Sequence, residues 1–431
     1  MSIETGKDGI TDMKRRSDRR KAARKRRISA LTLGMALALC AALIVTGRPG
    51  GGEAAEAMTQ TTAQSSVTEA QGTENGIFQA ADLFTSQDLT QEADLTEAVY
   101  HTLTDGEEWV IDQAGVYVID GTAKNATVTV AAAEDAKVQL VLNGLNAVND
   151  GFPCIYVKSC DKVFVTVMSD SSLSVTGAFQ SDGDVNTDGV IYSKCDLTVN
   201  GTGKLTVSSS QNGIVGKDDV KITGASLVIS AASKAVEGKD SIRIAGGEIT
   251  LTAGTDGLHA ENSDDDSKGY VYICGGEIAI TAGDDGIHGT SVVQIDGGNI
   301  AVTAAEGIEG TYVQINGGSV TISGRDDGIN AGKKSSAYTP TIEVNGGEIT
   351  VVMASGDTDG IDSNGNIIVN GGTVSVTGSS TFDYDGVAQY NGGTIIVNGQ
   401  QVNSIPNQMM GGMGGMGGQM GGQMGGKGGR R

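Results

Sequence analysis

A glycine-rich repeat is the feature that most restricts how this chain can fold. Gly-Gly pairs begin at residues 246, 275, 297, 317, 346, 371 and 392, in contexts such as AGGEITL, DGGNIAV and NGGTVSV. A second motif, an acidic residue followed by glycine, comes after each of the first six pairs, as in DGLHA and DGIHG. The basic interval is about 21 residues, and the longer intervals contain insertions. A period of this size is typical of a solenoid.

The segments around each pair alternate between apolar and polar residues. Ile249 and Leu251 alternate with Thr250 and Thr252, and a period of two is typical of β-strands. A coil of about 21 residues holds three short strands and three bends, and glycine supplies bends that β-branched residues cannot make. We therefore predict an all-β fold, a parallel β-helix with three short strands per coil, over residues 98–405.

The N-terminal sequence predicts export. The basic run KRRSDRRKAARKRR at 14–27 lies in a segment, 1–27, that we expect in the cytoplasm, and it precedes 19 uncharged residues at 28–46. A basic flank before an apolar run is typical of a signal peptide or an N-terminal membrane anchor. We assign this role to 28–57; cleavage after the A-x-A sequence at 55–57 and retention as an anchor both remain open. Either way, the remaining chain is expected outside the cytoplasm, exported or held at the cell surface.

Two segments are predicted to be disordered, a polar linker at 58–97 and a tail rich in methionine and glycine at 406–431. The body between them is strongly acidic. Residues 58–406 contain 15 of the 30 basic residues and 46 of the 52 acidic residues, a net charge of −31. Such a body should repel nucleic acid and attract cations, so a nucleic-acid partner is not expected.

Several stretches resemble a known bacterial family. They run from AGVYVIDGT (114–122) through DVNTDGVIYSKCDLTVNGTGKLTV (184–207) to KAVEGKDSIRIAGGEITLTAGTDGLHAEN (234–262). These sequence segments resemble those of exported carbohydrate-binding β-helix proteins with a topology like that of polysaccharide lyases. The resemblance implies a right-handed parallel β-helix, bound calcium, and binding of cellulose-like or acidic polysaccharides at the cell surface. It supplies no catalytic residues.

The repeat itself points to a metal site. Alignment of the second motif places one acid per coil in a single column, which comprises Asp256, Asp285, Glu306, Asp327, Asp359 and Asp385. Equivalent residues of neighbouring coils lie about 4.8 Å apart, where two carboxylates repel by about 3–4 kcal/mol at an effective dielectric constant of 20. A cation would remove this repulsion, and oxygen ligands favour Ca²⁺.

Acidic turns add further candidate ligands. The alternate positions Asp182, Asp184, Asn186 and Asp188 have the oxygen spacing of a calcium loop, although Ser193 at the twelfth position excludes an EF-hand. The other candidates lie beside the column or in insertions and are Asp264, Asp266, Asp284, Asp326, Asp357 and Asp362. The alternative is that these are solvated acidic turns without a bound ion.

A second column predicts a carbohydrate-binding face. Its outward residues suit stacking on sugar rings and hydrogen bonding to their hydroxyls, and they are Arg243, Tyr270, Tyr272, Gln294, Tyr312 and Gln314. Ordinary surface residues would give the same pattern. Catalysis by a calcium-dependent lyase or hydrolase is an alternative, with Arg243 and Arg325 as candidate bases. Because every candidate is a repeat position, we favour a non-catalytic, calcium-stabilised polysaccharide-binding protein; a structural spacer or adhesin is the third hypothesis.

Overall fold

The computed structural model describes residues 76–356 and 358–407. Within these residues the chain forms a parallel β-helix whose coils contribute strands to three faces, as the repeat predicts. All strand pairs are parallel except the last, between Thr394–Val397 and Gln400–Val402. The segment 98–147 forms the first coils of the stack.

Face 1 consists of β2 (Glu108–Ile111), β5 (Thr127–Ala131), β8 (Ile155–Ser159), β11 (Gly189–Ser193), β14 (Asn212–Gly216), β17 (Val236–Gly238), β20 (Leu258–Ala260), β23 (Asp285–Ile295), β25 (Glu306–Ile315), β27 (Asp327–Ala331), β30 (Asp359–Ser363) and β33 (Ser380–Tyr384).

Face 2 consists of β1 (Val99–Thr102), β3 (Gly115–Asp120), β6 (Lys137–Asn143), β9 (Lys162–Ser169), β12 (Asp196–Gly201), β15 (Asp219–Ile222), β18 (Ser241–Ile244), β21 (Tyr270–Ile273), the second halves of β23 and β25, β28 (Thr341–Val344), β31 (Asn366–Val369) and β34 (Ala388–Tyr390). Because β23 and β25 continue around the corner, faces 1 and 2 form one sheet.

Face 3 is a separate sheet that consists of β4 (Thr122–Lys124), β7 (Asn146–Asn149), β10 (Ser171–Val175), β13 (Lys204–Ser209), β16 (Ser226–Ala231), β19 (Glu248–Ala253), β22 (Glu277–Ala282), β24 (Asn299–Ala304), β26 (Ser319–Gly324), β29 (Glu348–Met353), β32 (Thr373–Thr377), β35 (Thr394–Val397) and β36 (Gln400–Val402).

The core is built from aligned columns of aliphatic side chains. On face 3, Ile278 pairs in register with Ile300, and Ile300 pairs with Val320; all three are buried. β-Branched residues suit this arrangement because their restricted rotamers pack well on a pleated surface. Each inward position therefore stacks on its equivalent in the next coil, and one narrow core runs the length of the described stack.

The Gly-Gly pairs form the bend before face 3. The second glycine of each pair has a positive φ, for example +83° at Gly318 and +85° at Gly347, a conformation that residues with a side chain rarely adopt. A Cβ at Gly318 would also lie 2.7 Å from the carbonyl oxygen of Gly298 in the preceding coil. The bend thus needs glycine both for its backbone angle and for the close stacking of coils.

The prediction of a disordered linker at 58–97 is wrong for its second half. Residues 76–91, which we call the strap, are ordered and contain helices α1 (Ala80–Leu83) and α2 (Ser86–Leu89). Thr85 and Asp88 form a capping box at the start of α2. The strap packs on face 2 because its two phenylalanines, Phe78 and Phe84, contact tyrosines there.

Other predicted segments lie outside the described residues, namely 1–27, 28–57, the first part of the linker and nearly all of the tail. Among the residues that the structure describes, no helix is long and apolar enough to cross a membrane. The last described strand, β36, ends at Val402, close to the predicted end of the β-helix.

Candidate functional site

The acidic column of face 1 lies where the face-1 strands begin. Strand pairing aligns Asp285 with Glu306 and Asp327 with Asp359, and Asp256 lies beside Asp285, whose backbone N–H donates to the Asp256 carboxylate over 3.1 Å. Five of the six aligned acids are therefore brought together as predicted.

Asp385 is not part of this column. Asp359 pairs with Ser380, because the coil of β33 is shifted and its strand ends before the DG sequence. Asp385 is exposed in the following turn. Asp383 aligns instead with Asp362 in the neighbouring column.

The glycine after each acid draws the coils together. A Cβ at Gly286 would lie 2.6 Å from the carbonyl oxygen of Gly307 and 2.2 Å from Val302. Three acids are buried although they belong to an outward column, with Asp256, Asp285 and Glu306 only 5–6% exposed, and Asp327 and Asp359 are half-buried. The motif thus combines an ionisable group with a site that has little access to water.

Burial and crowding change the acidity of this column. Burial, followed by the charges of Glu309 and Asp285, raises the pKa of Glu306 well above its ordinary value. Burial, followed by the charges of Asp362, Asp326 and Asp359, raises the pKa of Asp327 to about 8. An ionised carboxylate is disfavoured at both positions, and a nearby cation would reverse this effect.

A second column on face 1 contains two histidines. Pairing aligns His259 with His288 and His288 with Glu309, and the two imidazole rings are stacked with centroids 4.7 Å apart. Nδ1 of His288 lies 3.1 Å from Oδ2 of Asp285 and 2.8 Å from Oε2 of Glu309. Lys334 holds the other Glu309 oxygen at 2.6 Å.

Electrostatics couples these groups. Burial lowers the pKa of His288, but the hydrogen bonds to Asp285 and Glu309 outweigh it and raise the pKa to about 10. Burial raises the pKa of Glu309, whereas His288 and Lys334 lower it and determine the net direction. Without a metal ion, this cluster is a buried ion pair.

At two places among the described residues, at least three His, Cys, Asp or Glu side chains bring their ligand atoms within 4.8 Å of one another. One comprises Asp285, His288 and Glu309, and the other Asp256, Asp284 and Asp285. His288 and Glu309 were not among the ligands predicted from the sequence. The signal available was the D-G-x-H sequence that occurs in two successive coils, at 256–259 and 285–288.

The predicted calcium loop at 182–188 is arranged differently. Oδ2 of Asp182 accepts a hydrogen bond from Tyr156 and lies 3.2 Å from the Lys158 ammonium. Asn186 donates to Asp188, and Asp184 is exposed. The acids of this loop are thus engaged with protein donors or solvent and do not converge on one point.

The remaining predicted ligands are dispersed. Asp264 pairs with Lys239 at 2.7 Å, and Asp266 accepts hydrogen bonds from Ser336. Asp326 is exposed, whereas Asp362 lies in the histidine column. Asp357 lies outside the described residues.

The predicted carbohydrate-binding column is covered by the strap, and this prediction needs correction. The ring of Phe78 stacks on Tyr270 with centroids 4.3 Å apart. Gln294 bonds to both backbone groups of Phe78, at 2.8 and 2.9 Å. The most enclosed of the six residues are Tyr270, Tyr272, Gln294 and Gln314, which are all buried. The amide side chains that recur in this column, Gln294 and Gln314, thus form hydrogen bonds with the backbone of the strap.

The other two residues of that column are held in the same layer. Arg243 donates to the carbonyl oxygen of Leu83 over 3.3 Å and pairs with Asp219. Tyr312 donates to Glu343 over 2.8 Å and is only partly buried. The column therefore presents little free surface to a sugar.

Asp88 is the most deeply buried polar residue of the strap, and its side chain is fully enclosed. Its carboxylate pairs with Lys162 and with Lys221 and accepts a hydrogen bond from Thr198 over 2.8 Å. Burial raises the pKa of Asp88, but the hydrogen bonds from Lys162, Thr85 and Thr198 together have a larger, opposite effect. The net result is a lowered pKa. The strap is thus fixed to face 2 by apolar and ionic contacts.

The parallel sheets and their coil-by-coil register place the chain in the class of parallel β-helix proteins. Comparison with known proteins gives the family. A family model described as "Carbohydrate-binding domain-containing protein" matches residues 105–357, more than half of the chain, and the chain belongs to this family.

Two relatives are similar to part of this chain. A carbohydrate-binding domain-containing protein of Acetivibrio thermocellus is 35% identical over 122 residues, which are 27% of this chain and 43% of the relative. The match thus spans less than half of that protein. A solved polysaccharide lyase-like protein from C. thermocellum, determined as a gadolinium derivative, is 31% identical with a TM-score of 0.46, covering 51% of this chain and 96% of the other.

Proposed function

We propose that this protein binds a neutral, cellulose-like polysaccharide on face 3, without cleaving it, and that Ca²⁺ bound on face 1 stabilises the stack. We further propose that the basic and apolar N-terminal sequence directs it to the cell surface. The observation that carries the proposal is the exposed, hydroxyl-rich surface of face 3, since the family is carbohydrate-binding and face 2 is covered by the strap.

Two outward columns form this surface. Strand pairing aligns them across β19, β22, β24 and β26, and their exposed residues are Thr250, Thr252, Ala279, Thr281, Ala301, Thr303, Thr321 and Ser323. They line a shallow depression of about 230 Å³. Neighbouring coils repeat about every 4.8 Å, so the surface is a regular array of hydroxyls and methyl groups.

The charge of this array fits a neutral ligand. The body as a whole is strongly acidic, yet both columns consist of uncharged side chains between Thr250 and Ser323. The adjacent column does include exposed acids, Glu248 and Glu277. A neutral glycan can therefore contact the array without facing carboxylates directly, whereas an acidic glycan would need a bridging cation.

A retention assay tests this proposal. We expect the purified chain to be retained on cellulose. A Thr281→Glu/Thr303→Glu variant should lose at least about tenfold in affinity, because each new carboxylate would lose water beneath the bound glycan, at a cost of more than about 1 kcal/mol. Thr339→Glu, at an exposed threonine on a loop away from face 3, is the matched control. Retention of the double variant at the control level would contradict the assignment to face 3, and release of sugar products would indicate an enzyme.

The calcium proposal rests on Glu306, Asp327, Asp359 and Asp362. Their donor set consists of carboxylate oxygens, which Ca²⁺ prefers. Within the described part of the chain, no donor lies within hydrogen-bonding distance of the buried Oδ1 of Asp359. The raised pKa of Asp327 has its cause in burial and the neighbouring acids. These features fit a divalent ion that would compensate the charge.

Thermal unfolding tests the calcium proposal. Ca²⁺ should raise the melting temperature of the EDTA-treated chain, since an ion that binds only the folded state stabilises it. Asp327→Asn should lose most of this gain, whereas Asp385→Asn, in an exposed turn outside the column, should keep it. An equal calcium response in both variants would contradict the assignment.

A further inference from the structure

We infer that Asp285, His288 and Glu309 form a binding site for a divalent transition-metal ion such as Zn²⁺. We call these three residues the histidine site. It differs in chemistry from the all-carboxylate group to which we assign calcium, and it does not depend on glycan binding.

The geometry of the histidine site is close to that of a three-ligand metal centre. Nδ1 of His288 lies 3.1 Å from Oδ2 of Asp285 and 2.8 Å from Oε2 of Glu309, and all three ligand atoms lie within 4.8 Å of one another. Zinc bonds of about 2.0–2.2 Å in a tetrahedron separate ligand atoms by roughly 3.4 Å. The two imidazole–carboxylate separations would therefore need to widen by only roughly 0.3–0.6 Å, and the Nδ1 proton of His288 would be released to solvent, for the ion pair to become a coordination site.

The donor types select the class of metal. A neutral imidazole nitrogen combined with two carboxylates suits Zn²⁺ and its first-row neighbours, whereas Ca²⁺ takes six to eight oxygen ligands. Three protein ligands leave the fourth tetrahedral position for water or another ligand.

The surroundings hold the ligands in place. All three lie on the paired strands β23 and β25 and are 5–8% exposed. The ring of His259 stacks on His288, and Lys334 occupies Oε1 of Glu309, which leaves Oε2 directed at the imidazole. Partners of this kind orient metal ligands in known sites.

Local charge also favours an ion. Asp256 and Asp284 place further carboxylate oxygens within 4.8 Å of the Asp285 carboxylate. Against the four carboxylates stand two cationic groups, the ammonium of Lys334 and the His288 imidazolium, whose proton the ion would replace. A divalent ion would thus enter a cluster with an excess of acids, where Coulomb attraction is strongest because water is largely excluded.

Metal titration of the full chain tests the inference. After EDTA treatment and dialysis, Zn²⁺ is titrated by calorimetry, and Co²⁺ is followed by its visible absorption as a report of ligand geometry. We expect one tight site, a tetrahedral Co²⁺ spectrum, and a loss of affinity greater than about 100-fold in His288→Gln, since even residues that only support a ligand contribute 10- to 100-fold.

The chain provides matched controls because it has three histidines. His101→Gln alters a histidine near the start of the stack and should bind Zn²⁺ like the parent. Asp327→Asn should also keep Zn²⁺ while losing the calcium response, so failure of this inference and failure of the calcium proposal are distinguishable. If His288→Gln does not fold, as judged by circular dichroism, Glu309→Gln takes its place. Absence of tight Zn²⁺ binding in the folded parent, or equal binding by parent and site variant, would overturn the inference.

Discussion

At the scale of single residues, one repeated position produces different chemistry from coil to coil. The residue that aligns with His288 is a histidine in the preceding coil and Glu309 in the next, followed by Asn330 and Asp362. The backbone position is constant, but each side chain acquires its properties from the neighbours stacked above and below. An ion pair, a stacked ring and a crowded acid thus follow one another along the same face.

Asp327 gives a pH-dependent prediction. Its pKa in the folded chain is raised to about 8, whereas an unfolded aspartate titrates near 3.9. The folded state therefore binds more protons between these values, and stability falls as pH rises through this window. In EDTA, Asp327→Asn should raise the free energy of unfolding at pH 8 by on the order of 2 kcal/mol.

The same substitution should have a smaller effect at pH 5, where Asp327 is largely protonated in the folded chain. Chemical denaturation at both pH values measures the difference, with Asp385→Asn as the control. A stabilisation by Asp327→Asn that is equal at pH 5 and pH 8 would argue against a buried, crowded carboxyl.

At the scale of elements, the strap is fixed by its anchor at Asp88. Removing this carboxylate leaves Lys162 and Lys221 without their buried partner, and breaking a buried pair typically costs about 3–5 kcal/mol. Asp88→Ala should release residues 76–91 from face 2, seen as rapid amide exchange and proteolysis in this segment. Asp82→Ala, an exposed acid in α1, should leave the strap protected; equal protection in both variants would show that apolar contacts suffice.

Acid should have a related effect on the strap. The pKa of Asp88 is lowered in the folded chain, so its contribution is present above the unfolded value near 3.9 and is lost as pH falls below it. The protection of strap amides, measured relative to their intrinsic exchange rates, should fall below about pH 4, and this loss of protection should be absent in the Asp88→Ala variant.

The strap also shows why part of the fold could not be predicted. The coils follow from a local repeat, since Gly-Gly pairs and alternating residues fix bends and strands within one period. Phe78, Phe84 and Asp88 lie in a short polar segment without such a period, and Asp88 meets Thr198 110 residues further along the chain. The repeat was enough to predict the outward polar column of face 2, but it could not predict that the strap covers this column.

The site was predictable to a similar degree. The acidic column followed from the repeat at Asp256, Asp285 and the next three coils. Asp385 was assigned to it wrongly because its DG sequence is preserved while the strand before it is shifted. The cluster around His288 depends on contacts between coils that the motif alone does not specify.

At the scale of the whole molecule, the strap and the three faces divide the surface. The strap begins beside the middle of the stack, where the backbone of Ile77 donates to Gln314, and reaches β12 where Gln91 accepts from Gly201. Face 2 is covered along this course, face 1 contains the ionisable columns, and face 3 remains open. Binding of an extended ligand on face 3 would therefore leave the proposed metal sites undisturbed.

Because each coil contacts mainly its two neighbours, stability should be distributed along the stack as in other solenoids. Ile308 and Ile395 are both fully buried, but Ile308 lies in β25 in the interior of the stack and Ile395 in β35 near its end. Truncation to alanine removes about 2–5 kcal/mol of packing at either position. Ile308→Ala should lower the melting temperature of the whole domain, since coils on both sides lose a neighbour.

Ile395→Ala should instead allow β35 and β36 to open locally. Amide exchange followed by mass spectrometry would then show fast exchange confined to residues 394–402, while the main unfolding transition changes little. If both variants lower the main transition equally and leave the local exchange pattern unchanged, the stack unfolds as one cooperative unit. The nearest-neighbour description would then be wrong for this chain, and a ligand on face 3 would stabilise distant coils as strongly as those it contacts.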